Sequence, residues 1–185
     1  MIRDAEATRG RLIEAATQEF AEHGIAGARV ERIAAAAKSN KAQIYHYFGD
    51  KAGLLSAVVD CHAEQFKLAD YFNADDLGET AARIFDQFDA KPELARLLAW
   101  IRLEAADLSD PLAAVEQANA AKIAAIEDAQ QRGVVTGQLS APAILGTILT
   151  LASTWSDAAL LPEPASEAGS RRHQLIQAVT RLTAP

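Results

Sequence analysis

The chain has 185 residues, half of them apolar, one cysteine and a formal net charge of −7. That length allows one larger domain or a small head plus a body, and the apolar share is ample for a core. A single cysteine excludes an internal disulfide and suits a reducing, cytoplasmic setting, and Met1-Ile2-Arg3-Asp4 is not followed by an apolar targeting segment.

Thr8 to His23 predicts a first helix. Leu12, Ile13, Ala16 and Phe20 form its stripe and Gly24 its stop. Val30, Ile33, Ala34 and Ala37 recur at spacings of three and four and predict a second helix, whose small alanine face lets a neighbour approach closely. Lys38-Ser39-Asn40 interrupts the pattern. Asn40 is a good N-cap, and Gln43 stands three residues later, as in a capping box. In the third helix Ile44 and Phe48 face inward. Lys41, Gln43, Tyr45 and His46 fall largely outward, with Tyr47 at the edge. Two short helices across a tight turn form the helix-turn-helix, whose second helix fits the DNA major groove. The outward residue types suit that use. Lys41 brings positive charge to phosphate, and tyrosine hydroxyls reach phosphate oxygens. Gln43 has two possible uses, pairing with adenine or capping its own helix. Tyr45 and Tyr47 either contact phosphate or pack half-buried, and His46 either faces DNA or is an ordinary surface imidazole.

Asp50 starts a longer helix with Leu54, Leu55, Val58, Val59, His62 and Phe66 on a wide buried face. Asn73-Ala74-Asp75 breaks it. A helix over 76–89 turns Leu77, Ala81, Ile84, Phe85 and Phe88 inward. Pro92 suits the first turn of the next helix, which carries Leu94, Leu97, Leu98, Trp100, Ile101 and Leu103. After a break at Ser109-Asp110-Pro111, a long helix runs to Arg132 and stops at Gly133. Residues 143–161 form a helix apolar on more than one face: Ile144, Ile148, Leu151 and Trp155 on one stripe, Leu145, Leu149, Ala152 and Ala159 on another. A loop and a last helix over 170–182 close the chain. No strand and no repeat is evident. The expected fold is all-α, about nine helices, with a three-helix helix-turn-helix head over 1–50 and a helical ligand-binding and dimerisation body over 51–185.

The longest oily stretch, 143–161, holds Thr147, Thr150, Ser153, Thr154, Ser156 and Asp157 and is a poor membrane span. Residues 1–51 hold eight Lys/Arg against seven Asp/Glu, and residues 52–185 hold ten against eighteen, so the acidity belongs to the body. An acidic body is repelled by phosphate and helps turn the head toward DNA. Cys61-His62 is no chelate, because adjacent helical residues point about 100° apart, and no second Cys/His cluster completes a zinc set. No metal and no cofactor is expected. No Gly-rich phosphate loop and no Ser/His/Asp constellation points to an enzyme.

Ile33-Ala34, Lys41, the run Ile44-Tyr45-His46-Tyr47-Phe48-Gly49-Asp50-Lys51 and the pair Leu54-Leu55 together resemble the signature of the tetracycline-repressor family. The likeness runs from about Leu12 to Leu55 and includes the Phe20 to Gly24 end of the first helix. It implies a dimeric transcriptional regulator, usually a repressor, released from its palindromic operator by a small organic effector. By position, Lys41, Ala42, Gln43, Tyr45, His46 and Tyr47 then occupy the recognition helix, and Lys51 the position whose lysine commonly touches phosphate. Three positions depart from the family pattern, the first being Ser39, where an apolar residue is usual. Lys38 stands where glycine is usual, which in a left-handed turn costs about 1–2 kcal/mol, or else the turn differs. Arg29 stands where threonine often begins the second helix. Lys38 and Arg29 bring charge that can reach DNA, so Arg29, Lys38 and the capping Asn40 join the expected DNA-binding set.

Two apolar stripes on 143–161 suggest a partner. With the last helix they predict a four-helix homodimer interface through Leu145, Leu149, Ala152, Leu175, Ile176 and Val179. A fully buried central helix in a monomer is the alternative. An effector pocket is expected among the middle helices, with Phe85, Phe88, Trp100 and Trp155 as apolar wall and Arg102, Glu104, Gln117 and Asn119 as possible anchors. A helical interaction adaptor without DNA binding is the competing function, ahead of an enzyme.

Overall fold

A computed structural model describes residues 2–65, 72–104, 113–156 and 168–185. The described residues form nine α-helices: α1 Ile2–Gly27, α2 Val30–Ala36, α3 Lys41–Phe48, α4 Lys51–Gln65, α5 Leu77–Ala90, α6 Pro92–Glu104, α7 Ala113–Gln131, α8 Ala141–Ser156 and α9 Ala168–Thr183. No strand occurs among them. The expected breaks at 109–111 and 161–167, the residues Phe66 and Ala159, and the side chain of Trp155 lie outside the described residues.

The chain divides into two compact units. The first comprises Met1–Gln65 with Arg96–Glu116, and the second Phe66–Ala95 with Gln117–Pro185. The first unit is thus larger than the 1–50 head read from the sequence, because the α6 segment from Arg96 shares its core. That core is built from the α1 stripe Leu12, Ala16 and Phe20, from Ile33 and Ala34 of α2, Ile44 of α3, Leu54, Leu55 and Val58 of α4, and Leu97 and Ile101 of α6. Leu103, expected among the apolar residues of α6, is instead 75% exposed.

Helix α1 begins six residues earlier than expected and carries a kink at Gly24, whose backbone (φ 73°, ψ 171°) lies in a region open to glycine almost alone. The turn between α2 and α3 is a Schellman motif. Ser39 N–H donates to the Ala34 carbonyl at 2.9 Å and Lys38 N–H to that of Ala35 at 3.1 Å. Lys38 occupies the left-handed position at φ 51°, the one such non-glycine residue among those described. The chain therefore keeps the tight turn and accepts the conformational cost that the sequence raised. Lys38→Gly is expected to raise stability by about 1 kcal/mol, read as a higher urea midpoint; a lower midpoint would mean that the lysine stem contributes packing that offsets the strain.

In the second unit α5 packs against both α8 and α9. Asp76 caps α5 by accepting from Glu79 N–H at 3.0 Å. Leu77, Ala81, Ile84, Phe85 and Phe88 are all buried, as the pattern required. Gly78 allows the close approach of α9: an added methyl would meet Thr180 Oγ1 and lie 3.1 Å from the Ile176 carbonyl oxygen. Arg172 of α9 clamps α5 by donating to Asp86 at 3.1 Å and Glu79 at 3.0 Å. Of the six expected interface residues, Leu145, Ala152, Leu175 and Val179 are already buried within the single chain. Leu149 and Ile176 are half-buried and keep some surface.

Candidate nucleic-acid interface

Three features hold α3 in place. Asn40 Oδ1 accepts from Gln43 N–H at 3.0 Å, so the expected N-cap is formed. Ile44 is fully buried and anchors the inner face. At the far end Gly49 (φ 79°) turns the chain, and Asp50 caps α4 by accepting from Gly53 N–H at 2.8 Å.

The outer face is then open. Lys41, Ala42, Tyr45 and His46 are exposed, with Tyr45 at 52%. Tyr47 is half-buried against the core and meets the His46 ring edge-on at 5.3 Å. The Gln43 amide is half-buried and makes no hydrogen bond to any described residue. The reciprocal half of a capping box is therefore absent, and the amide keeps its donors and acceptor for another partner.

The cations of the head are distributed unevenly. Lys41 Nζ donates to Glu31 Oε1 at 2.5 Å, tying α3 to α2. The hydrogen bond to Glu31 and its charge raise the Lys41 pKa above its ordinary value, so the ammonium stays charged. Lys51 Nζ is turned onto the end of α1, donating to the carbonyls of Ile25 at 2.8 Å and Ala26 at 3.2 Å. A phosphate contact there would have to share those bonds. Arg29 and Lys38 are exposed. Arg29 offers α2 no side-chain cap, but its own N–H donates to Glu19 Oε1 at 2.8 Å. Glu19 also accepts from Arg32 Nε at 2.7 Å. Burial raises the Glu19 pKa, and the bonds from Arg32 and the Arg29 backbone outweigh it and hold the carboxyl below its usual range. Arg11 escaped the sequence reading. Its Nε reaches the Ala37 carbonyl at 3.4 Å, which sets a further cation beside the turn. Nothing in the order of residues signals that meeting, because 26 positions separate the partners.

The expected effector residues fall in different units. Trp100 and Glu104 belong to the first unit and secure the α1 kink: Trp100 Nε1 donates to the Ala21 carbonyl at 3.2 Å, and Glu104 Oε2 accepts from Ala26 N–H at 2.8 Å. Phe85 and Phe88 are buried in the second unit, where Asn119 is half-buried. No group of three or more His, Cys, Asp or Glu is placed to hold a metal among the described residues. No described helix is long and apolar enough to cross a membrane.

Comparison with known proteins agrees with this geometry. Residues 12–58 match the bacterial regulatory proteins of the tetR family, and residues 76–181 match the tetracyclin repressor-like C-terminal domain. The HTH-type transcriptional repressor SCO4008 of Streptomyces coelicolor is 41% identical over 82% of this chain and 79% of its own. The crystal structure of SCO4942 from the same organism superposes with a TM-score of 0.78 at 34% identity, covering 95% of this chain and 98% of that one. The Bacillus subtilis regulator FadR, crystallised with stearoyl-CoA, shares the fold with a TM-score of 0.69 at 20% identity over 90% of this chain and 96% of its own. A match in both halves, joined to a capped α3 with an exposed outer face, makes this chain a member of the tetracycline-repressor family of helix-turn-helix transcriptional regulators.

Proposed function

We propose that the chain is a cytoplasmic repressor that binds a palindromic operator as a homodimer and leaves it when a small organic effector occupies its body. The observation that carries the reading is the free outer face of α3: Lys41, Ala42, Tyr45 and His46 are exposed while Ile44 anchors the opposite side. One recognition helix reads few bases, whereas two heads about 34–36 Å apart read an inverted repeat. The remaining surface of Leu149 and Ile176, with Leu182 exposed on α9, supports pairing through α8 and α9. Release follows if the effector prefers a conformation whose heads no longer match the operator spacing.

Selection from random DNA with the purified protein tests the proposal, and an inverted repeat is the expected product. Lys41→Ala should then weaken retention of that repeat and flatten its salt dependence by about one phosphate's worth. Gln43→Ala should relax base preference at one position in each half-site. Recovery of no enriched sequence would remove the repressor reading in favour of an interaction adaptor. Unchanged preference in Gln43→Ala would remove that residue from the reading of bases.

A further inference from the structure

The carbonyls of Ile25, Ala26, Gly27 and Ala28 run from the last turn of α1 to the entry of α2. A helix has no N–H of its own to offer its last carbonyls, so their donors must come from elsewhere. Two cations from later in the chain supply them. Arg32 Nη2 donates to Gly27 at 3.0 Å. Lys51 Nζ donates to Ile25 at 2.8 Å, to Ala26 at 3.2 Å and, more distantly, to Ala28 at 3.4 Å. An ammonium has three N–H donors and no acceptor, so three carbonyls match its whole capacity. The negative end of the helix dipole favours a cation in the same place. Lys51 is half-buried there, and Ile25 and Ala28 are buried.

The position of Lys51 gives these bonds a wider reach. It is the first residue of α4, and Gly49 and Asp50 alone separate it from α3. Ala28 immediately precedes Arg29, the N-cap of α2. One ammonium therefore ties the end of α1 and the entry to α2 to the start of α4. The recognition helix α3 packs against both α2 and α4, so the same bonds bear on both of its neighbours.

We propose that Lys51 is a positioning residue for the recognition helix and not a phosphate contact. It gives its donors to the α1 carbonyls and acts on operator DNA through where it sets α2 and α4. The latch itself stands on the three bonds, and its role in DNA binding rests on the repressor reading.

Lys51→Met and Lys51→Arg test it in the full chain, on the operator recovered by selection, with Lys41→Ala as the reference. Arginine keeps the charge and serves phosphate at least as well as lysine, but its planar fork does not spread over three carbonyls. Both Lys51 variants are expected to unfold at a lower urea concentration than the parent. At a temperature where they are fully folded, both are expected to bind the operator about five- to tenfold more weakly. Their salt slope should equal the parent's, whereas Lys41→Ala should flatten it by about one unit. A slope flattened in Lys51→Met and restored in Lys51→Arg would reveal a phosphate contact and overturn the proposal. Parental affinity in both folded variants overturns it too, because Lys51 would then hold the fold without setting the recognition helix. A parental urea midpoint overturns the latch. If selection recovers no operator, the repressor reading falls and the positioning role with it, while the urea midpoints still decide the latch.

Discussion

Gly24→Ala is expected to lower the stability of the first unit by about 2–4 kcal/mol. Two effects combine. The backbone at φ 73° and ψ 171° is open to glycine and strained for any residue with a Cβ. The new methyl would also lie 2.8 Å from Glu104 Oε1 and 3.1 Å from the Trp100 ring. Neither neighbour yields freely, because Glu104 holds Ala26 N–H and the Trp100 indole holds the Ala21 carbonyl. Urea unfolding of the variant should show the midpoint fall. An unchanged midpoint would mean that the kink is not a constrained feature. Lys51 also donates to the carbonyls that follow the kink. Disturbing Gly24 therefore reaches the start of α4 without touching α3.

Ala42→Glu should produce the largest change in DNA binding at the smallest structural cost. Ala42 is exposed on the outer face of α3, next to Lys41 and one turn from Tyr45 and His46. Glutamate is a good helix former, and negative charge near a helix N-terminus is tolerated. Urea stability should stay within about 0.5 kcal/mol of the parent. A carboxylate held against the phosphates of a duplex opposes docking strongly, so operator affinity should fall by about a hundredfold or more. Fluorescence anisotropy on a labelled operator reads the loss. Retained affinity would show that this face does not meet DNA, whatever the fold.

The recognition helix was legible because its signals are local. Asn40 capping Gln43 N–H, Ile44 inward and Asp50 capping Gly53 N–H each involve residues within four positions. Short-range hydrogen bonds and helical period need no knowledge of the rest of the chain. Gln43 was open between two uses; its backbone N–H is capped by Asn40 while its amide makes no reciprocal cap among the described residues. Longer-range partners were not legible. Trp100 and Glu104 read as pocket residues in a list of aromatics and polars. They hold an α1 segment 78 or 79 positions away. Leu145, Ala152, Leu175 and Val179 read as surface for a second protomer, because periodicity reports an apolar face without naming what covers it. Their own chain covers them.

By itself the order of residues determined the helices, the caps at Asn40 and Asp50 and the family, while the turn at Lys38 stayed open until its backbone was seen at φ 51°. Tertiary packing alone decided which cations are matched and which apolar faces are already covered, since each depends on groups far apart in the chain meeting where solvent is excluded.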